Sequence, residues 1–109
     1  MSERYRLPAR RAARTFDMPR FGNHQATYTV TLGYSEPRKG PVYEVFISGA
    51  KNGTEMDAIT RDGAILLSLA LQHGVRLDVI SHAITRNERG EADSIIGAVV
   101  DSIVEHEKG

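Results

Sequence analysis

Residues 42–80 constrain the fold most, because their hydrophobic period changes part-way along. Val42-Tyr-Glu-Val-Phe-Ile-Ser48 reads as a strand, with Tyr43, Val45 and Ile47 on one face and Glu44 and Phe46 on the other. A polar step, Gly49-Ala-Lys-Asn-Gly53, follows. Apolar residues then recur at helical spacing: Met56, Ile59, Gly63, Leu66, Leu67 and Ala70 share one face of a helix from about Glu55 to His73. Periods of two and of 3.6 define strand and helix respectively. Thr54 suits the N-cap, Asp57 stands in the capping-box position, and Gly74 is a natural stop. Gly63 in mid-helix costs about 1 kcal/mol relative to alanine, so close packing against its backbone is expected.

The flanking elements follow from the same patterns. Ala26, Tyr28, Val30 and Leu32 alternate with Thr27, Thr29 and Thr31, a half-buried strand. Ser35-Glu-Pro-Arg-Lys-Gly40 is a turn, so the two strands form an antiparallel hairpin. A short helix carries Leu77, Ile80, Ala83 and Ile84 in phase, a polar loop spans Thr85–Asp93, and Ser94 or Asp93 caps a last helix with Ile95, Ala98, Val99, Ser102 and Ile103 inward. The predicted fold class is α+β, an antiparallel β-hairpin packed against two to three α-helices and preceded by a basic N-terminal arm. Both faces of strand 42–48 carry large apolar groups, which suggests a covering partner, a homodimer being one form.

The arm is residues 1–23 and the α+β domain residues 24–109. Pro8, Pro19 and Gly22 punctuate the arm, and Ala9, Ala12 and Ala13 behind Pro8 allow a short helix over residues 8–15. Net charge is zero overall, yet residues 1–20 carry Arg4, Arg6, Arg10, Arg11, Arg14 and Arg20 against Glu3 and Asp17, and the remainder is acidic. No apolar run is long enough to cross a membrane and no secretory h-region opens the chain, so a cytoplasmic location is expected. Zero cysteines exclude disulfides, cysteine-zinc sites and thiol catalysis.

Three short motifs, Glu44-Val-Phe-Ile47, Lys51-Asn-Gly53 and Leu71-Gln-His-Gly-Val75 with its Leu-Asp-Val-Ile continuation, resemble the TSCPD domain in the C-terminal region of adenosylcobalamin-dependent (class II) ribonucleotide reductases. The resemblance covers about residues 28–104. Arg6-Leu-Pro-Ala-Arg-Arg11 followed by Thr15-Phe16 is similar to the start of short stand-alone bacterial relatives. The resemblance implies a link to ribonucleotide reductase and DNA biosynthesis. That chemistry needs a cysteine thiyl radical and a redox cysteine pair, and the chain has no cysteine. The expectation is therefore a non-catalytic domain without a cofactor or a catalytic residue.

Two binding sites are candidates. Arg10, Arg11 and Arg14, interleaved with Tyr5, Phe16 and Phe21, suit single-stranded nucleic acid, arginines taking phosphates and aromatics taking bases. Lys51, Asn52, Gly53 and Thr54 stand between a strand and a helix N-terminus, where backbone N–H groups favour anions such as a nucleotide phosphate. The plainer accounts are an arm packed on the acidic body, and glycines that a tight turn demands. The loop Arg86–Gly90 ahead of Ser94 is a further anion candidate, against a solvated loop. His24, His73, His82 and His106 show no metal spacing. The leading expectation is a nucleotide or single-stranded nucleic-acid binding module. The alternative is an accessory domain associating with itself or with a ribonucleotide reductase.

Overall fold

A computed structural model describes residues 4, 12–18, 28–34, 41–49 and 55–108, apart from the side chains of residues 55–57 and 108. Among these residues it contains β1 (Ala13–Met18), β2 (Tyr28–Tyr34), β3 (Val42–Ser48), α1 (Glu55–Gln72), α2 (Leu77–Ala83) and α3 (Ile95–Lys108). The fold is α+β, as expected. The chain divides into two compact units, residues 1–74 and 75–109.

In the first unit the strands form one antiparallel sheet in the order β1-β2-β3. The hairpin of β2 and β3 is present, and it gains a third strand. β1 occupies part of the segment read as an arm, and residues 13–15 are strand, not the end of a short helix. Alanine propensity loses there to pairing: Ala13 stands opposite Gly33, Thr15 opposite Thr31 and Met18 opposite Tyr28. Residues 8–11, the turn 35–40 and residues 50–54 lie outside the described residues.

The pleat sorts the sheet into two faces. Met18, Tyr28, Val30, Leu32, Val45 and Ile47 are buried on one. The other carries Thr15, Asp17, Thr29, Thr31, Gly33, Glu44, Phe46 and Ser48, tied across strands by Thr15 Oγ1 to Thr31 Oγ1 (3.1 Å) and by Thr29 Oγ1 donating to Asp17 Oδ1 (2.9 Å). One step on β2, Gly33 to Tyr34, faces two on β3, Glu44 to Val42. Tyr43 is thus the extra residue of a bulge, and Val42 rather than Tyr43 takes the fully buried place.

α1 packs on β3, an edge of the described sheet. The expected helix face is rotated. Thr60, Ala64, Leu67, Ser68, Leu71 and Gln72 are buried, whereas Ile59 and Leu66 are exposed, Leu66 at 67%. The reason is the strand edge itself, whose unpaired backbone groups need polar partners. Buried Ser68 Oγ accepts from Val45 N–H (2.8 Å) and donates to Val45 O (3.1 Å), and Gln72 Nε2 donates to Tyr43 O (2.9 Å). A face chosen for hydrogen bonding reads as polar in sequence and is nevertheless interior. α1 ends as predicted, with Gly74 at φ +90° and its N–H donating to Leu71 O (3.0 Å).

In the second unit Ser94 caps α3, its Oγ accepting from Gly97 N–H at 3.0 Å, one of the two caps foreseen. Ile95, Val99, Val100 and Ile103 are buried on it, while α2 has no fully buried residue. Residues 85–93 are the exposed polar loop expected, closed into a small hairpin by an Arg86–Ala92 bridge, by Asp93 N–H donating to Thr85 O (2.9 Å), and by Asn87 Oδ1, which accepts from Arg89 and Glu91 N–H (2.9 and 3.0 Å).

Candidate functional site

The polar face of the sheet does not lie open along β3. The flank of α1 rises beside it and makes a groove of about 500 Å³. Glu44, Phe46 and Ser48 of β3 form its floor with Thr31 of β2, and Arg61, Ala64, Ile65 and Leu69 of α1 form its wall. Successive same-face residues on a strand are roughly 7 Å apart. Glu44, Phe46 and Ser48 therefore stand in a line, with the aromatic ring in the middle. Phe46 is 56% exposed, unusual for a residue of its size.

The two ends of the groove differ. Residues 68 and 72 of α1 bond to 45 and 43 of β3, so the helix runs antiparallel to the strand. Arg61 thus belongs to the Ser48 end and Gln72 to the Glu44 end. Arg4 also lines the groove, and its Nε donates to Gln72 Oε1. Gln72 is a relay: its amide N–H holds the carbonyl freed by the bulge at Tyr43, and its amide oxygen holds Arg4. Arg61 and Gln72 are eleven positions apart on the helix, roughly 16 Å at 1.5 Å per residue. An apolar groove with a cation at each end and a few polar groups on its floor has the build and size of a small-ligand site.

Of the sequence-predicted site residues, Arg10, Arg11, Lys51, Asn52, Gly53 and Thr54 lie outside the described residues. Arg14 is exposed on β1, opposite Leu32, and is not among the groove's lining residues. None of the groove's lining residues was among the predicted sites, Glu44, Phe46, Arg61 and Arg4 included. The signal for Phe46 was in the chain, as the second apolar face of strand 42–48. Nothing local marks Arg4, which arrives from 68 positions away in sequence.

At the anion site suggested at Arg86–Gly90, the structure finds Arg86 already engaged. Arg86 spends its guanidinium internally: Nη1 donates to Asp101 Oδ2 and Gly90 O (both 2.9 Å), and Nη2 donates to Asp101 Oδ1 (2.8 Å), Ser81 O (2.9 Å) and Ser81 Oγ (3.2 Å). This fork joins the end of α2, the hairpin and α3, and commits both terminal nitrogens of Arg86 to partners within the unit. Arg86's hydrogen bonds hold the Asp101 carboxyl below its ordinary range, more than partial desolvation raises it. At the start of α2, the N-cap Arg76 pairs with Asp78 and lowers that carboxyl in the same way.

The family model for the TSCPD domain matches residues 3–107. The chain belongs to the TSCPD domain family. The match runs through both units and includes β1 and Arg4, so the strand hidden in the arginine-rich segment lies within the family's span. No curated protein and no solved structure matches the chain. No helix among the described residues is long and apolar enough to cross a membrane.

Proposed function

We propose that this TSCPD domain is a non-catalytic binding module that takes a nucleotide, free or as an unpaired residue of a single strand, in the groove between β3 and α1. The observation that carries this reading is the exposed ring of Phe46 on the groove floor, with an arginine toward each end. A base stacks on an aromatic face with about 1–3 kcal/mol per base, irrespective of sequence. With the base on Phe46, the sugar and phosphate run toward Ser48 and Arg61, where the guanidinium supplies charge-assisted hydrogen bonds. The basic N-terminal segment adds salt-sensitive attraction for further phosphates. The likeness of Glu44-Val-Phe-Ile47 and Leu71-Gln-His-Gly-Val75 to class II ribonucleotide reductases favours a ligand of the nucleotide class, while the absence of cysteine argues against reductase chemistry.

The test is an amide chemical-shift titration with nucleoside monophosphates and with a short single-stranded oligonucleotide, at low and moderate salt. Shifts at Thr31, Glu44, Phe46, Arg61 and Ile65, lost in Phe46→Ala, support the reading. An unperturbed groove at millimolar ligand refutes it.

A second reading, an accessory domain that associates with itself or with a reductase, has its own observation. Ile59 and Leu66 are exposed one above the other on α1, away from its buried side. A dimer by sedimentation that Leu66→Ser converts to monomer would favour it.

A further inference from the structure

We infer that two copies of this chain pair through α1, antiparallel and in one register, with Leu66 of each copy seated over Gly63 of the other. The inference deepens the self-association reading above and rests on it. α1 turns Thr60, Ala64, Leu67, Ser68, Leu71 and Gln72 inward. It raises Arg61, Ile65 and Leu69 beside the groove. A third row, Ile59, Gly63, Leu66 and Ala70, belongs to neither set. Its steps of four, three and four keep it on one stripe of the helix, which is the spacing of a helix-pairing seam. Ile59 and Leu66 are 56% and 67% exposed, and Gly63 and Ala70 are half-buried.

Large and small residues alternate along this row, and that order selects both the partner and its direction. In a two-fold dimer the contact is isologous: where one residue meets a second, the second meets the first. A reversed copy of the row sets Ile59 against Ala70 and Gly63 against Leu66, and each pair occurs twice. All four contacts fall in one register, centred between Ala64 and Ile65, and each places a large side chain over a small one. A parallel copy would set Gly63 on Gly63 and Leu66 on Leu66, leaving a void at the glycines and crowding the leucines. Antiparallel helices also bring the positive end of each dipole beside the negative end of the other.

This arrangement gives the mid-helix glycine a use. Gly63 lies outside the row that α1 buries, and glycine weakens a helix relative to alanine. Against a second copy, its missing side chain is the space that Leu66 fills, and it lets the helix axes approach to about 8 Å. Asp62, exposed beside the row, supplies a polar rim. None of the four seam residues lines the groove, so pairing leaves the groove of each copy open. The seam spans about 16 Å of a helix about 10 Å across, far short of the roughly 1,600 Å² of a standard interface. The dimer is therefore reversible and forms at high protein concentration.

The experiment is sedimentation of the full chain from micromolar to millimolar concentration, on wild type, on Gly63→Leu, and on the exchange Gly63→Leu with Leu66→Gly. Wild type is expected to dimerise. Gly63→Leu should weaken the dimer by roughly tenfold or more, because its side chain takes the place of Leu66 from the other copy. The exchange keeps large opposite small in the same register and should return the constant to within about threefold of wild type. Circular dichroism checks that each variant folds. Direction is read separately by cross-linking, since the chain has no cysteine of its own. Ile59→Cys with Ala70→Cys should join two copies on mild oxidation. Either change alone should not, because like positions stand about 16 Å apart and a disulfide needs Cα atoms within about 7 Å. The same distance forbids a bridge within one helix. Ala58→Cys with Leu69→Cys, one position around the helix, gives the collision background. A dimer unmoved by Gly63→Leu, or cross-linked as fast through Ile59→Cys alone as through the pair, would overturn this arrangement and leave self-association standing. A monomer at every concentration would overturn the self-association reading and this inference with it.

Discussion

Ser68→Ala should destabilise the protein well beyond what deleting one hydroxyl from a helix ordinarily does. Ser68 Oγ serves both polar groups of Val45, taking the N–H at 2.8 Å and giving its own proton to the carbonyl at 3.1 Å. Val45 is 1% exposed, so water does not replace the lost partner without opening the contact of α1 with β3. A buried donor left unsatisfied costs about 1–3 kcal/mol, and the second bond adds about 1 kcal/mol. We expect a loss of about 3 kcal/mol, with a thermal midpoint lower by roughly 13 °C for a chain of this size. Urea unfolding measures the first and differential scanning calorimetry the second. Ser48→Ala, on the exposed face of the same strand, is the control and should stay within about 0.5 kcal/mol. Hydrogen exchange gives an independent readout: the Val45 amide should exchange faster in Ser68→Ala, by more than the global change accounts for. A loss under about 0.5 kcal/mol, or an unchanged Val45 amide, would refute the view that α1 is pinned to the strand edge through this hydroxyl.

Further expectations concern the other unit and the outer side of α1. Asp101→Asn keeps the shape of the Arg86 clasp and removes its negative charge. The carboxyl is held below its usual value of 3.8 chiefly by Arg86's hydrogen bonds, so it stabilises the fold above that pH, and the stabilisation is lost as pH falls through the depressed value. The gap between wild type and Asp101→Asn should therefore be full at pH 7 and close in acid, and unfolding at a series of pH values checks this. A gap independent of pH would mean that charge is not what Asp101 contributes. Gly97→Ala puts a Cβ 3.0 Å from Ile84 Cδ1 and 3.1 Å from Ala92 Cβ. Overpacking against the closed hairpin outweighs the helix propensity gained, for a net loss of about 1 kcal/mol in urea unfolding. Stabilisation would show that the hairpin yields. Leu66→Ser should change monomer stability by less than about 0.5 kcal/mol, because the side chain is already in water. A loss of 2 kcal/mol or more would place Leu66 in a core.

Elements whose signals are local were legible in the amino-acid order alone. Alternation along residues 28–32 and 42–48 marks β2 and β3, and a 3.6-residue period bounded by Gly74 marks α1 to within a residue at its C-terminal end. Ser94 announces α3 because a hydroxyl ahead of a helix has one common use. Family membership was legible in short motifs of the same region. What tertiary structure decided was everything set by a partner far along the chain. β1 is a strand because β2 offers it a ladder, although Ala12 and Ala13 favour helix. The buried side of α1 is the one bearing Thr60, Ser68 and Gln72, because the bulged edge of β3 needs donors and acceptors more than it needs another leucine. That choice turns Ile59 and Leu66 outward, against their apolar nature. The groove follows from the same choice, since it needs α1 at the strand edge, Gly33 under Glu44, and Arg4 brought back to Gln72. Hydrophobic period records how one segment meets water, and it carries no information about which backbone groups another segment leaves unpaired.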